Sequence, residues 1–188
     1  MIPSSSVLVV VDVQNGFIRP PSAPVVPIIA DLVERWQQAG GEVVFTRYLN
    51  YPGSPFERMI HWEKLQESPE IDIVPELASL ADKSIMLDKK IYSLFSTEGA
   101  RLVREKGWQD LYICGIATES CVLKTAVDAF ELDLTPWVLA EASASHAGQE
   151  AHDAGMLVIR RFIGQGQIIS VSDVPLPERC AADGRHMQ

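Results

Sequence analysis

A three-layer α/β/α fold around a mostly parallel six-stranded sheet is the architecture this sequence predicts, on two observations. Short β-branched apolar runs alternate along the chain with longer segments whose apolar residues recur every three or four positions. The short runs lack polar alternation, as strands covered by helices on both faces do. The chain has 188 residues, 47% of them hydrophobic, enough for one sizeable core. Residues 1–188 therefore read as one domain, with a Pro-rich and then polar tail from residue 175 expected to be loosely ordered.

The elements follow in order. The run SVLVVVDV, residues 6–13, is a first strand, and VPIIADLVERWQQAGG is an amphipathic helix stopped by Gly40 and Gly41. EVVFTRY is a second strand. After it, the polar and aromatic segment LNYPGSPFERMIHWEKLQESPEIDIVPEL is an excursion holding one short helix. SIMLDK is a third strand, TEGARLVREKGW a helix, and DLYICGI a fourth strand. TESCVLKTAVDAFELD is the next helix, LTPWVLAEA a fifth strand, GQEAHDAGMLVIRRFI a helix, and QIISVSD a short last strand.

Composition narrows the function classes. No apolar run approaches the roughly 20 residues of a membrane span, and the apolar stretch of MIPSSSVLVVVDV reads as a strand rather than a signal peptide, which makes the cytoplasm the expected location. A net charge of −9 and a pI near 4.9 argue against a nucleic-acid or anionic-membrane partner. Three cysteines are an odd number in a chain without export features, so reduced thiols are expected in place of a disulfide framework. No phosphate-binding G-x-x-x-x-G-K-[ST] loop and no G-x-S-x-G serine elbow occurs, and GQGQ at residues 164–167 reads as a turn before a strand.

Ligands of such folds bind beyond the carboxyl ends of the strands. That rule selects Asp12 after the first strand, Lys89 at the end of the third and Cys121 just past the fourth, where a helix begins. Unpaired N–H groups and the dipole at a helix start favour a thiolate there. Taken singly, each residue also has an ordinary reading: Asp12 as a turn or cap residue, Lys89 as a solvated charge beside Lys90, and Cys121 as a small buried hydrophobe. Cys114, within a strand, and Cys180, in the tail, take only the ordinary reading. A response-regulator receiver also pairs a strand-end Asp with a strand-end Lys, but VVVDVQ lacks its adjacent acidic residues. A redox sensor built on Cys121 is a further alternative, which steady turnover of an amide would separate from a hydrolase.

Read together, the three segments resemble the isochorismatase-like cysteine hydrolases, a superfamily that includes nicotinamidases and N-carbamoylsarcosine amidohydrolases. VDVQNGF matches the family's D-x-Q-x-x-F at Asp12, Gln14 and Phe17, and DKKIYSLFST places Lys89 before a Y-S-x-F segment. GIATESCV matches G-[IV]-x-T-[DN]-x-C-V, except that Glu119 stands where Asp or Asn is usual. The segments occur in family order, and the matching alternation of elements covers about residues 6–170.

The resemblance implies a Rossmann-like isochorismatase-type fold and a cysteine hydrolase acting on a small amide, ureido or carbamoyl C–N bond. Asp12 would take the proton of Cys121, Lys89 would stabilise the ionised pair, and the sulfur would form an acyl-enzyme. The backbone N–H groups of Ala117 and Cys121 would hold the oxyanion, with a non-proline cis peptide at Ile116–Ala117. Vinyl-ether hydrolysis of the isochorismatase type is the alternative, and Cys121 weighs against it because such enzymes commonly lack the cysteine. Nicotinamidase-type relatives hold zinc or iron through Asp-x-His and a later His. No Asp-x-His occurs in TRYLNYPGSPFERMIHWEKL, His61 is isolated, His186 is in the tail, and His146 and His152 are six apart on different helix faces. No metal and no other cofactor is expected.

A pocket is expected from the excursion and from IYSLF: Tyr48, Asn50, Phe56, His61, Trp62, Tyr92 and Phe95 offer an aromatic lining for a small planar acyl group. Gln14, Phe17, Thr118 and Glu119 join them as candidate substrate contacts. Arg47 has two readings, a partner for a substrate carboxylate or for a structural Asp. A homo-oligomer, dimer or tetramer, is expected from the family pattern, with FERMIHWEKL as a contact face.

Overall fold

The strands of the computed structural model, which describes residues 2–176, are β1 (Ser6–Val11), β2 (Glu42–Tyr48), β3 (Ile85–Lys89), β4 (Asp110–Ile116), β5 (Thr135–Ala144) and β6 (Ile168–Ile169). They pair in parallel throughout, in the order β3-β2-β1-β4-β5-β6. The helices are α1 (Val25–Gln38), α2 (Pro55–Ile60), α3 (Pro75–Ala81), α4 (Thr97–Lys106), α5 (Leu123–Glu131) and α6 (Gln149–Ile163).

Alternation along buried strands splits the core in two. Leu8 and Val10 of β1 point to one face and pack with Trp36 of α1 and Leu77 of α3. Val7, Val9 and Val11 point to the other, with Val103 of α4, Ala126 of α5 and Ile159 of α6. Helices thus cover both faces. The chain runs outward from β1 to β3, then crosses back to β4 on the other side of β1. A sheet that reverses in this way opens a crevice beyond the carboxyl ends of β1 and β4, between loops that diverge to opposite sides.

Close backbone approach shapes that crevice. Gly115 has φ of 118°, and a Cβ there would stand 2.1 Å from the Val11 carbonyl oxygen, so only glycine fits. The register between β4 and β5 shifts at the same place, between Ile113 and Gly115. The strand that leads to Cys121 is thereby pressed against the end of β1.

Several elements differ from the sequence reading. β1 stops at Val11, because Asp12 turns into the left-handed region at φ of 48°. The excursion holds two short helices rather than one: α2, capped by Ser54 accepting from the Glu57 N–H, and α3, which opens at Pro75. Proline suits the first helical turn, where its missing N–H costs nothing. β5 continues two residues past LTPWVLAEA, to Ala144. The helix after Cys121 begins as a π-helical turn, Thr118–Val122, before α5. The last strand shrinks to Ile168–Ile169 between two 3-10 turns. The tail from residue 177 lies outside the described residues.

Candidate active site

Asp12 hangs off the end of β1, directly opposite the end of β2. Its backbone N–H donates to Thr46, and its Oδ1 accepts from the Thr46 hydroxyl at 2.6 Å. Lys89, the last residue of β3, reaches across β2, and its Nζ donates to Asp12 Oδ2 at 2.6 Å. The other two ammonium protons go to the carbonyls of Ile91 and Tyr92, at 3.1 and 2.9 Å. All three donors of the lysine are used. Both side chains are fully buried, at 0% exposure. Burial works against the Lys89 charge, but Asp12 and the nearby Cys121 outweigh it and hold the ammonium's pKa above its ordinary value.

Cys121 faces this pair from the π-helical turn, 5% exposed. Burial pushes its thiol up, Lys89 pulls it down, and the Asp12 carboxylate pushes it up again. The net direction is up, opposite to the lowering that a helix start suggests. The local reason is burial, which outweighs the dipole of a short turn. The Ile116–Ala117 peptide is cis. Ala117 and Cys121 both line the cleft.

The cleft has a volume of about 260 Å³ and is lined by Phe17, Tyr48, Phe56, Trp62 and Tyr92 together with Glu119 and Ser120. Phe17 stacks on Trp62 with ring centres 5.8 Å apart, and Phe56 packs between Tyr48 and Tyr92 at 4.8 and 4.9 Å. Ile60 and His146 complete the lining; neither is singled out in the sequence reading. His146 follows β5, the strand beside β4, and stacks on Phe17 at 5.4 Å. The carboxyl-end rule that selects Asp12 selects this position too, once β5 is known to run to Ala144. Burial lowers the His146 pKa, against a smaller upward pull from Glu119.

Five expected pocket residues lie elsewhere. Gln14 donates to the carbonyls of Tyr48 and Ile71 and accepts from the Tyr48 N–H, tying the excursion to β2. Asn50 donates to the carbonyls of Trp62 and Lys64 and accepts from Tyr48 Oη and Ser54 Oγ, so it clamps the loop that carries Trp62. Thr118 is buried, with its hydroxyl 2.8 Å from His152 Nδ1, which pins the π-helical turn to α6. Phe95 lines a different groove with Leu49, Lys90 and Ser96. His61 ends α2 in the left-handed region, outside the cleft. Arg47 makes a two-pronged ion pair with Asp88 at 2.8 and 2.9 Å, so the structural reading holds for it.

Among the described residues no three His, Cys, Asp or Glu side chains converge as metal ligands. His61 stands outside the cleft and Asn50 is committed to backbone carbonyls, so the described residues offer no ligand set that fits a zinc or iron centre. No helix among the described residues is long and apolar enough to cross a membrane.

Residues 6–171 match the model of the Isochorismatase domain. The ureidoacrylate amidohydrolase RutB of Serratia proteamaculans is 30% identical over 201 residues, covering 86% of this chain and 79% of that protein. The phenazine biosynthesis protein PhzD1 of Pseudomonas aeruginosa is 29% identical over 161 residues, covering 80% and 75%. Nicotinamidase PncA from Bacillus subtilis superposes with a TM-score of 0.79 at 22% identity, over 88% of this chain and 99% of its own, a likeness of fold.

Proposed function

Because the chain belongs to the isochorismatase family of hydrolases, we propose that it cleaves the C–N bond of a small amide, ureido or carbamoyl compound through an acyl-cysteine intermediate. The observation that carries this reading is the fully buried Lys89–Asp12 pair set beside the Cys121 thiol, at the end of an aromatic cleft. The names of the ureidoacrylate amidohydrolase and nicotinamidase relatives support the bond type.

The geometry supports the following steps. Asp12 accepts the Cys121 proton as the sulfur attacks the carbonyl carbon, since burial keeps the sulfur protonated until then. The C–S bond forms and the carbonyl oxygen becomes an oxyanion facing the N–H groups of Ala117 and Cys121, each such donor being worth about 3 kcal/mol in related chemistry. The oxyanion collapses, the C–N bond breaks, and the departing nitrogen takes the proton from Asp12. Water, deprotonated by Asp12, then attacks the thioester and releases the acid, returning the proton to sulfur. Lys89 keeps its charge throughout and holds Asp12 in place. The described residues supply every step, and no cofactor enters it.

We read residues 1–188 as one domain of a cytoplasmic enzyme that takes a small-molecule substrate and forms a homo-oligomer. Exposed Met59 and Ile60 on α2, and Leu157 and Phe162 on α6, support the last point; sedimentation velocity checks it. A screen of small amides and ureido acids for ammonia or acid release tests the activity. On a cleaved substrate, Cys121→Ser is expected to lose nearly all turnover, and rapid quenching is expected to trap an acyl mass on the wild-type protein. Near-normal turnover by Cys121→Ser would overturn the mechanism in favour of cysteine-independent, isochorismatase-type hydrolysis.

A further inference from the structure

Two residues that line the cleft each carry a buried polar atom with no partner among the described residues. Glu119 Oε1 accepts from Ser145 Oγ at 2.7 Å, and Ser145 in turn accepts from the Ala147 N–H at 3.0 Å, so one carboxylate oxygen is tethered. Glu119 Oε2 is buried and has no partner among the described residues, and the same is true of His146 Nδ1. Both residues line the cleft, and they lie close enough for Glu119 to act on the His146 ring. Their positions are held: His146 is stacked on Phe17, and the Glu119 backbone is pressed against α6 at Gly155, where a Cβ would come within 2.7 Å of Glu119 Cα.

Buried polar atoms in folded proteins are paired, and a persistent exception calls for a ligand or another explanation. A fixed carboxylate oxygen accepts hydrogen bonds and attracts positive charge. Among the described residues no lysine or arginine lines the cleft to receive an anion. The donors of Lys89 are all occupied, and Arg19, the cation felt at His146, is exposed and donates to the Ile18 carbonyl.

We propose that Glu119, with His146 beside it, forms a recognition subsite for an N–H-donating, neutral or cationic substituent at the non-reacting end of the substrate. Substrates whose far end is a carboxylate, the ureido acids among them, are then disfavoured. The inference rests on the cysteine-hydrolase reading only in assuming that the acyl carbon sits at Cys121. The flanking Phe17 and Trp62 faces favour a planar ring between the two ends.

The test separates recognition from turnover. Titration calorimetry on Cys121→Ser, with benzamide and its 3- and 4-substituted aminomethyl, amino and carboxylate derivatives, measures binding without chemistry. The aminomethyl and amino compounds are expected to bind at least about tenfold tighter than benzamide, and the carboxylates weakest. Adding Glu119→Gln, which keeps the side-chain shape, is expected to bring the aminomethyl compound within about threefold of benzamide. His146→Phe, which preserves stacking on Phe17, gives a second variant expected to narrow the amino preference. Carboxylates binding as tightly as benzamide, a ranking unmoved by Glu119→Gln, or no binding by any probe would overturn the subsite. If the ranking holds but wild type hydrolyses none of the amides, the hydrolase reading fails alone; if it hydrolyses them with the ranking reversed, the subsite fails alone.

Discussion

Replacing Lys89 with methionine keeps the length of the side chain and strands the Asp12 carboxylate in the interior. The ammonium and carboxylate lie 2.6 Å apart, both fully buried, and without Lys89 the carboxylate keeps the Thr46 hydroxyl bond described above but no charged partner. Breaking such a pair by removing one partner costs about 3–5 kcal/mol, because the remaining charge has neither water nor a counter-ion. Against a total stability of about 5–15 kcal/mol that is a large fraction, and for a domain of this size it lowers Tm by roughly 6–20 °C. The double variant Asp12→Asn/Lys89→Met removes the stranded charge as well, so it is expected to recover most of the loss. Urea unfolding of wild type, the two single variants and the double variant at pH 7 measures all four corners of the cycle. Lys89→Met within about 1 kcal/mol of wild type would refute a buried ionic pair, and additive losses would refute the coupling.

Three further outcomes follow from the site. In a Cys180→Ser background, since Cys180 lies outside the described residues, iodoacetamide is expected to label Cys121 before Cys114, which is fully buried in β4, and labelling should abolish turnover. Because burial raises the Cys121 thiol, its thiolate fraction grows as pH rises, so the labelling rate is expected to climb through about pH 8–9 without the plateau near 7 that a depressed thiol gives; a plateau near pH 7 would contradict the raised direction. Gly155→Ala forces a methyl group against the Glu119 backbone, and a shifted π-helical turn is expected to lower kcat about 10–100-fold with a modest loss of stability; unchanged kcat would show that the turn absorbs the displacement. Dialysis against a strong chelator is expected to leave turnover unchanged, and a loss that zinc or iron restores would show a ligand set missed among the histidines.

The catalytic candidates were legible because they sit where local pattern is strongest. A run of buried valines announces β1, DLYICGI coincides with β4 residue for residue, and a charged or reactive side chain just past such a run is conspicuous against it. The pocket was less legible, since Gln14, Asn50 and Thr118 are polar residues near the site that each bond a backbone or side-chain group 12 to 57 residues away. A side chain that holds a loop in place and one that holds a ligand have the same composition and the same neighbours in sequence. Only the loop's path decides between them.

That path also explains two residues of the cleft lining, Glu119, a candidate substrate contact in the sequence, and His146, which was not one. Glu119 departs from the family's Asp or Asn, and in the sequence it is one more charge at a helix start, where acidic residues are ordinary. His146 is one residue in a Ser- and Ala-rich stretch that carries no periodicity. What gives both a chemical meaning is the alignment of β5 beside β4: it brings Ser145 to one oxygen of Glu119, leaves the other oxygen buried without a partner among the described residues, and sets the His146 ring against Phe17. A carboxylate fixed at one oxygen and unpaired at the other acts as an acceptor for whatever enters. In the proposed mechanism the bond-breaking groups lie at the ends of β1, β3 and β4, and the proposed subsite joins Glu119 after β4 to His146 after β5, so substitutions at Glu119 are expected to change which amides bind while leaving the Lys89–Asp12 pair intact.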